Sequence, residues 1–122
     1  MDETYISFYL KANRIHVFIE ALRMIGSPKR ICFMISEDGK KLLMAPYRKR
    51  DFRSHGVPND VYNGIGRMEI SSMKLCRLTA DLYSWNLEHS YRVPGLIRED
   101  HNVILFDLQR AEEIASKTCW GI

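Results

Sequence analysis

The segment YRKRDFR, Tyr47 to Arg53, gathers four cations and two aromatic rings around a single acid. Arg and Lys neutralise phosphates and release their counterions, and an aromatic ring offers a face on which an unpaired base stacks. Cations interleaved with rings therefore suit a single-stranded nucleic acid. Tyr47, Arg48, Lys49, Arg50, Phe52 and Arg53 are the candidate contacts, and Lys40 and Lys41, at a turn just upstream, are expected to join them in one patch. An acidic protein surface would answer the same charge, and a solvated loop would carry it without touching anything.

The other chemistry-bearing residues do not assemble into a recognisable centre. His16, His55, His89 and His101 are scattered, with no H-x-x-x-H or H-E-x-x-H spacing to set two imidazoles on one helix face, so no metal site is expected. His55 stands nearest the basic segment, where a bound anion would raise its charged fraction. GIGRM, Gly64 to Met68, lacks the spacing and the Lys-Ser/Thr ending of a phosphate-binding loop, and the third glycine of a dinucleotide fingerprint is missing. Glu69, Glu99, Asp100 and Asp107 supply acids, but their spacing ties them to no nucleophile and base. No catalytic residue and no cofactor is assigned. The chain is expected to bind, not to catalyse.

Composition agrees with a compact binding module. At 122 residues, 46% hydrophobic and 27% charged, the chain has the size and balance of one globular domain. Its net charge of +3 is local, because residues 40–53 carry six cations against Asp51, a net +5, which leaves −2 for the remainder. Cys32, Cys76 and Cys119 are odd in number and lack C-x-x-C spacing, which favours reduced thiols over a disulfide framework. The longest apolar runs, 31–35 and 42–45, fall far short of the roughly 20 residues that cross a bilayer. MDETY opens with acids where a secretory signal carries bases, so a cytoplasmic protein without membrane contact is expected.

The elements that would position the basic segment follow from periodicity. YISFYLKANRIHV reads as one strand or two short ones, and Val17 to Ile25 as a short helix stopped by Gly26 and Pro28. RICFMI and KLLMAPY form a hairpin about Asp38-Gly39, which both tolerate positive φ. Residues 48–66 read as a loop with one helical turn near Asp60 to Tyr62. RMEIS is a strand, and Ser71 or Ser72 caps a helix whose Leu75, Leu78, Leu82 and Trp85 share a face. Tyr83 and Trp85 then belong to the core more than to an interface. SYRVPGLI and NVILFDL make a second pair of strands, and Gln109 to Lys117 a short terminal helix.

Set side by side, the halves share an order of strand, helix, strand, turn, strand. RIHVFIEALRMIG matches RMEISSMKLCRL in kind, and KKLLMAPY lies opposite HNVILFDL at an offset of roughly 60 residues. The expected fold is a small single α+β domain of two βαββ-like pseudo-repeats, about 5–47 and 67–108, sharing a core and joined by the loop 48–66. In element order it resembles the repeating units of DNA sliding clamps.

The residues RIHVFIEALRMIGSPKRICFMISEDGKKLLMAPYRKRD, followed later by SYRVPGLIREDHNVILFDL, are similar to a group of small uncharacterised proteins of clostridial bacteria and of their phages and mobile elements. The likeness covers about half the chain and rests on R-I-H before a helix, an I-G-x-P stop and Y-R-x-P-G before a strand. It implies a bacterial or phage cytoplasm and an accessory or regulatory role, with no activity attached. The helix-then-hairpin part is also similar to AbrB-type transition-state regulators, which bind DNA as swapped-hairpin dimers; the second half and residues 48–66 depart from them.

Two functions follow as expectations. The first is a non-enzymatic accessory protein that holds nucleic acid, or a complex bound to nucleic acid, through the basic loop. The second is a protein-contact inhibitor of a host defence enzyme such as a CRISPR nuclease. Exposed strand edges would allow a homodimer in either case.

Overall fold

The computed structural model describes residues 3–51 and 53–114. Along β1 (Glu3–Tyr9) Thr4, Ile6 and Phe8 point inward and are buried, while Tyr5 and Tyr9 lie on the other face, the alternation that a half-buried strand requires. A 3-10 turn at Leu10–Ala12 ends at Asn13 in the left-handed region, which an amide side chain tolerates. β2 (Arg14–Phe18) and α1 (Ile19–Met24) follow. The N-terminal stretch is thus two strands, and the helix starts two residues later than its spacing predicts because Val17 and Phe18 are paired in β2.

β3 (Arg30–Ile35) and β4 (Lys41–Pro46) form the expected hairpin, with Gly39 at φ 72° in its turn. Residues 48–66, expected as loop, contain a further strand, β5 (Ser54–Gly56), and an irregular helical turn at Val61–Ile65. β6 (Arg67–Ser71), α2 (Met73–Tyr83), β7 (Ser90–Arg98) and β8 (Val103–Asp107) lie where the sequence puts them. The terminal helix is replaced by a 3-10 turn at Leu108–Arg110 and a short β9 (Glu112–Ile114) paired with β7; the remainder of the expected helix, like Cys119, lies outside the described residues.

All strands join one antiparallel sheet, nearly closed into a barrel, in the order β5-β3-β4-β8-β7-β1-β2-β6. Two pairings link distant parts of the chain. β4 meets β8 about the pair Leu43↔Leu105, and β2 meets β6 about His16↔Glu69. The β2–β6 ladder is extended at both ends by reciprocal bonds: Ile19 N donates to the Gly66 carbonyl (2.9 Å) and Ser72 N to the Asn13 carbonyl (3.0 Å). Asn13 and Gly66 are both left-handed.

The core is continuous, running from Ile6, Phe8 and Val17 through Ile31, Leu42 and Met44 to Ile104 and Phe106, with Leu22 of α1 and Cys76 of α2 pressed on it. α2 is capped by Ser72, whose Oγ accepts from Leu75 N (3.2 Å); of the predicted face only Leu75 and Trp85 pack against the core, both partly buried. Cys76, Thr79 and Ala80 face the sheet, while Leu78 and Leu82 are 43% and 49% exposed. Small side chains let the helix approach closely, and the larger leucines are left outside. Trp85, beyond the helix, stacks on Tyr91 (4.6 Å between centroids) and meets Phe8 edge-on. Cys32 and Cys76 are buried free thiols, and burial raises Cys76 to about 11. No helix among the described residues is long and apolar enough to cross a membrane.

The glycine most closely approached is Gly95, against which the Phe106 ring lies; a Cβ there would stand 2.5 Å from Phe106 Cδ1. Gly95→Ala should therefore destabilise the protein by about 1–3 kcal/mol through overpacking. Urea denaturation reads this as a lower midpoint at unchanged slope; an unaltered midpoint would mean that the ring has room to move.

Candidate nucleic-acid interface

The basic segment leaves the end of β4 and crosses to β5 over the outer face of β3. Two posts hold it. Asp51 accepts from the Tyr47 hydroxyl (3.0 Å), from Arg53 N (2.9 Å) and from the Arg53 guanidinium (3.4 Å). These bonds, led by the Arg53 amide, hold the Asp51 carboxyl below its ordinary range. Ser54 is the second post: its hydroxyl accepts from Arg30 Nε (2.8 Å) and donates to the Lys49 carbonyl (2.8 Å).

With its one acid engaged inside the segment, the exposed side chains of Arg48, Lys49 and Arg50 form no ion pair among the described residues. A second segment meets them. The hairpin register carries Arg30 beside Tyr47, and Tyr47 N donates to the Arg30 carbonyl (2.9 Å). The turn before β3 is fixed by Tyr62, whose hydroxyl donates to the Pro28 carbonyl (2.7 Å), and by Val57 N, which donates to the Lys29 carbonyl (2.8 Å). Lys29, Arg30, Arg48 and Arg50 thus line one cleft of about 750 Å³, walled by Pro28, Pro46 and Tyr47, with no acid in its lining among the described residues. A concave, uncompensated cluster of cations attracts anions from solution.

The structure rearranges the predicted patch. Lys40 and Lys41 do not join it: they lie at the opposite end of β4, about 20 Å away at strand rise, and Lys41 is paired with Asp107 (3.3 Å). Tyr47 is half-buried, its hydroxyl is tied to Asp51 and Arg53 sits 6.0 Å from its ring centre, so it stabilises the loop in place of offering a free stacking face. Phe52 lies outside the described residues. Arg53 belongs to the Asp51 post. His55 is half-buried, and desolvation, aided by Arg30, holds its pKa below the usual histidine value.

Sequence reasoning missed Lys29 and Arg30. The signal was available, since folding the hairpin about Asp38-Gly39 places Arg30 opposite the basic segment. Among the described residues no three His, Cys, Asp or Glu side chains converge to hold a metal ion. Comparison with protein-family models, with curated proteins and with solved structures gave no match to this chain.

Because the folded pKa of Asp51 is depressed, its contribution to loop order is complete above the unfolded value, ordinarily 3.8, and is lost as pH falls through the lower, folded value. An acid titration followed by NMR should show the Arg53 amide losing its downfield position below the normal carboxylate range. Asp51→Asn should abolish that transition, and its survival in the variant would assign it to another group.

Proposed function

We propose that this protein is a non-enzymatic accessory protein of a bacterial, phage or mobile-element cytoplasm that holds nucleic acid, or a complex assembled on it, by its phosphates. The supporting observation is the convergence of Lys29, Arg30, Arg48 and Arg50 from two segments on one cleft that no acid lines among the described residues. Phosphate contacts position a nucleic acid without reading its bases, and the engaged Tyr47 leaves the cleft suited to that task more than to base stacking.

If about four phosphates are neutralised, affinity should fall on the order of a hundredfold between about 50 and 200 mM salt. Fluorescence anisotropy with labelled single- and double-stranded DNA and RNA measures this. Replacing Arg48, Lys49 and Arg50 together by Ala should weaken binding on every sequence and flatten the salt dependence; unchanged affinity in that variant overturns the assignment. Absence of binding at the lower salt would favour instead the inhibitor of a host defence enzyme, for which the apolar side chains exposed on α2 offer a protein-binding face.

We infer also that the two halves descend from one unit. β2-α1-β3-β4 and β6-α2-β7-β8 share their order, and like strands pair with like, β2 with β6 and β4 with β8. Each half opens on a left-handed residue followed by Arg, Asn13-Arg14 and Gly66-Arg67, and the hairpin turns read Ile35-Ser36-Glu37-Asp38 and Ile97-Arg98-Glu99-Asp100. In this scheme β1 precedes β2 as β5 precedes β6. A fragment of residues 3–47 should then self-associate, pairing β2 with β2 and β4 with β4 of a second copy. Sedimentation of that fragment as a folded dimer is the expected result, and an unfolded monomer counts against common descent.

A further inference from the structure

The basic cleft opens where the two strands of the first hairpin part. One segment arrives from α1 through Pro28 and Lys29, the other leaves β4 through Arg48 towards β5, and each brings cations to the lining. Between them the lining is apolar at Ile25, Pro28 and Pro46, and at Gly26 no atom lies within 4 Å of the place a Cβ would take. Asn102, from the turn between β7 and β8, also borders the cleft. Its backbone is left-handed (φ 53°), and its Nδ2 donates to the Ile25 carbonyl (3.3 Å). That single bond ties the side chain to the end of α1 and leaves Oδ1 and the second amide hydrogen without a partner among the described residues. The other neutral polar side chain of the lining, Tyr47, is already engaged by Asp51.

A volume of about 750 Å³ is that of a site enclosing a small molecule, more than a phosphate group alone requires. We propose that the cleft encloses an unpaired nucleotide of a single strand, its phosphates against Lys29, Arg48 and Arg50 and its base edge against the free amide of Asn102. This rests on the phosphate-holding role of the same cleft and adds to it the form of the strand and a residue that reads the base. A base inside a duplex is paired along one edge and stacked on both faces, so it does not enter a cleft; an unpaired base splays out and offers its edge. The apolar stretch between the cations receives the sugar and base without competing for their hydrogen bonds. A carboxamide presents an acceptor and a donor together, the pairing by which Asn selects adenine.

The probes are labelled oligo(dA), labelled oligo(dT) and the duplex the two form, each titrated with the full chain at about 50 mM salt. Either strand should bind about tenfold more tightly than the duplex, and oligo(dA) about fivefold more tightly than oligo(dT). Lys29→Ala, at an exposed side chain, should weaken binding to both strands alike and lower the salt slope by about one. Asn102→Gly, which the left-handed backbone accepts, should erase the preference for oligo(dA) at an unchanged salt slope and with the wild-type melting curve. Equal affinity for strand and duplex, or a preference for oligo(dA) that survives Asn102→Gly, overturns the proposal. So does displacement of the strand by a nucleoside monophosphate as effectively as by unlabelled oligonucleotide, which would give the cleft to a free nucleotide. If none of the three probes binds, the phosphate-holding function falls and this inference with it; if strand and duplex bind equally, that function stands and only the enclosed nucleotide is lost.

Discussion

Two antiparallel pairings between strands far apart in the chain hold the molecule together: β2 with β6, and β4 with β8. In the second, Leu42 lies opposite Phe106 and Met44 opposite Ile104, and all four side chains are fully buried. Fully burying side chains of this size contributes about 1.5–3 kcal/mol each, and direct cross-strand neighbours add to that. Neither hairpin has another sheet to lie against, so each depends on the other for its core. α1 and α2 then close the two ends, α1 through Ala21 and Leu22, α2 through Cys76, Thr79 and Ala80.

The basic cleft depends on that arrangement at one remove. β3 and β4 fix where Arg30 and Tyr47 meet, and from that point Ser54 and Asp51 arrange the rest. The single acid of the segment matters because it is engaged internally. Had Asp51 faced outward, it would have offset one of the neighbouring cations; turned toward Tyr47 and Arg53, it leaves the outer side of the loop wholly positive. Lys41 shows the opposite outcome, since Asp107 across the ladder compensates it.

Local features were legible wherever period and turn chemistry agreed. Asp38-Gly39 between two apolar runs specified the hairpin, Ser72 the start of α2, and the alternation in RMEIS a strand. What sequence did not disclose was set by contacts at long range. β5 is a strand because β3 offers it an edge, with no pattern of its own in Ser54–Gly56. The end of the described chain is extended because β7 pairs with β9, although Ala111 and Ile114 have helical spacing. The inner face of α2 was misjudged because size was taken for burial, whereas close approach to the sheet selected Cys76, Thr79 and Ala80. In the candidate site Arg48, Lys49 and Arg50 were visible as charge, but their companions Lys29 and Arg30 required a register, and the separation of Lys40 and Lys41 required the length of a strand.

The place of β1 in the sheet has a consequence for synthesis. Glu3 pairs with Leu96 and Tyr9 with Ser90, so β1 waits for the much later synthesis of β7 before that side of its ladder can form. Until β6 emerges to pair with β2, β1 and β2 form a two-stranded ribbon, which is marginal in water by itself. Non-local pairing of this kind slows folding and prolongs the exposure of unpaired strand edges. The nascent chain therefore carries an alternating, aromatic-rich edge until β7 has emerged, and its yield in a cell should depend on how well that edge is shielded.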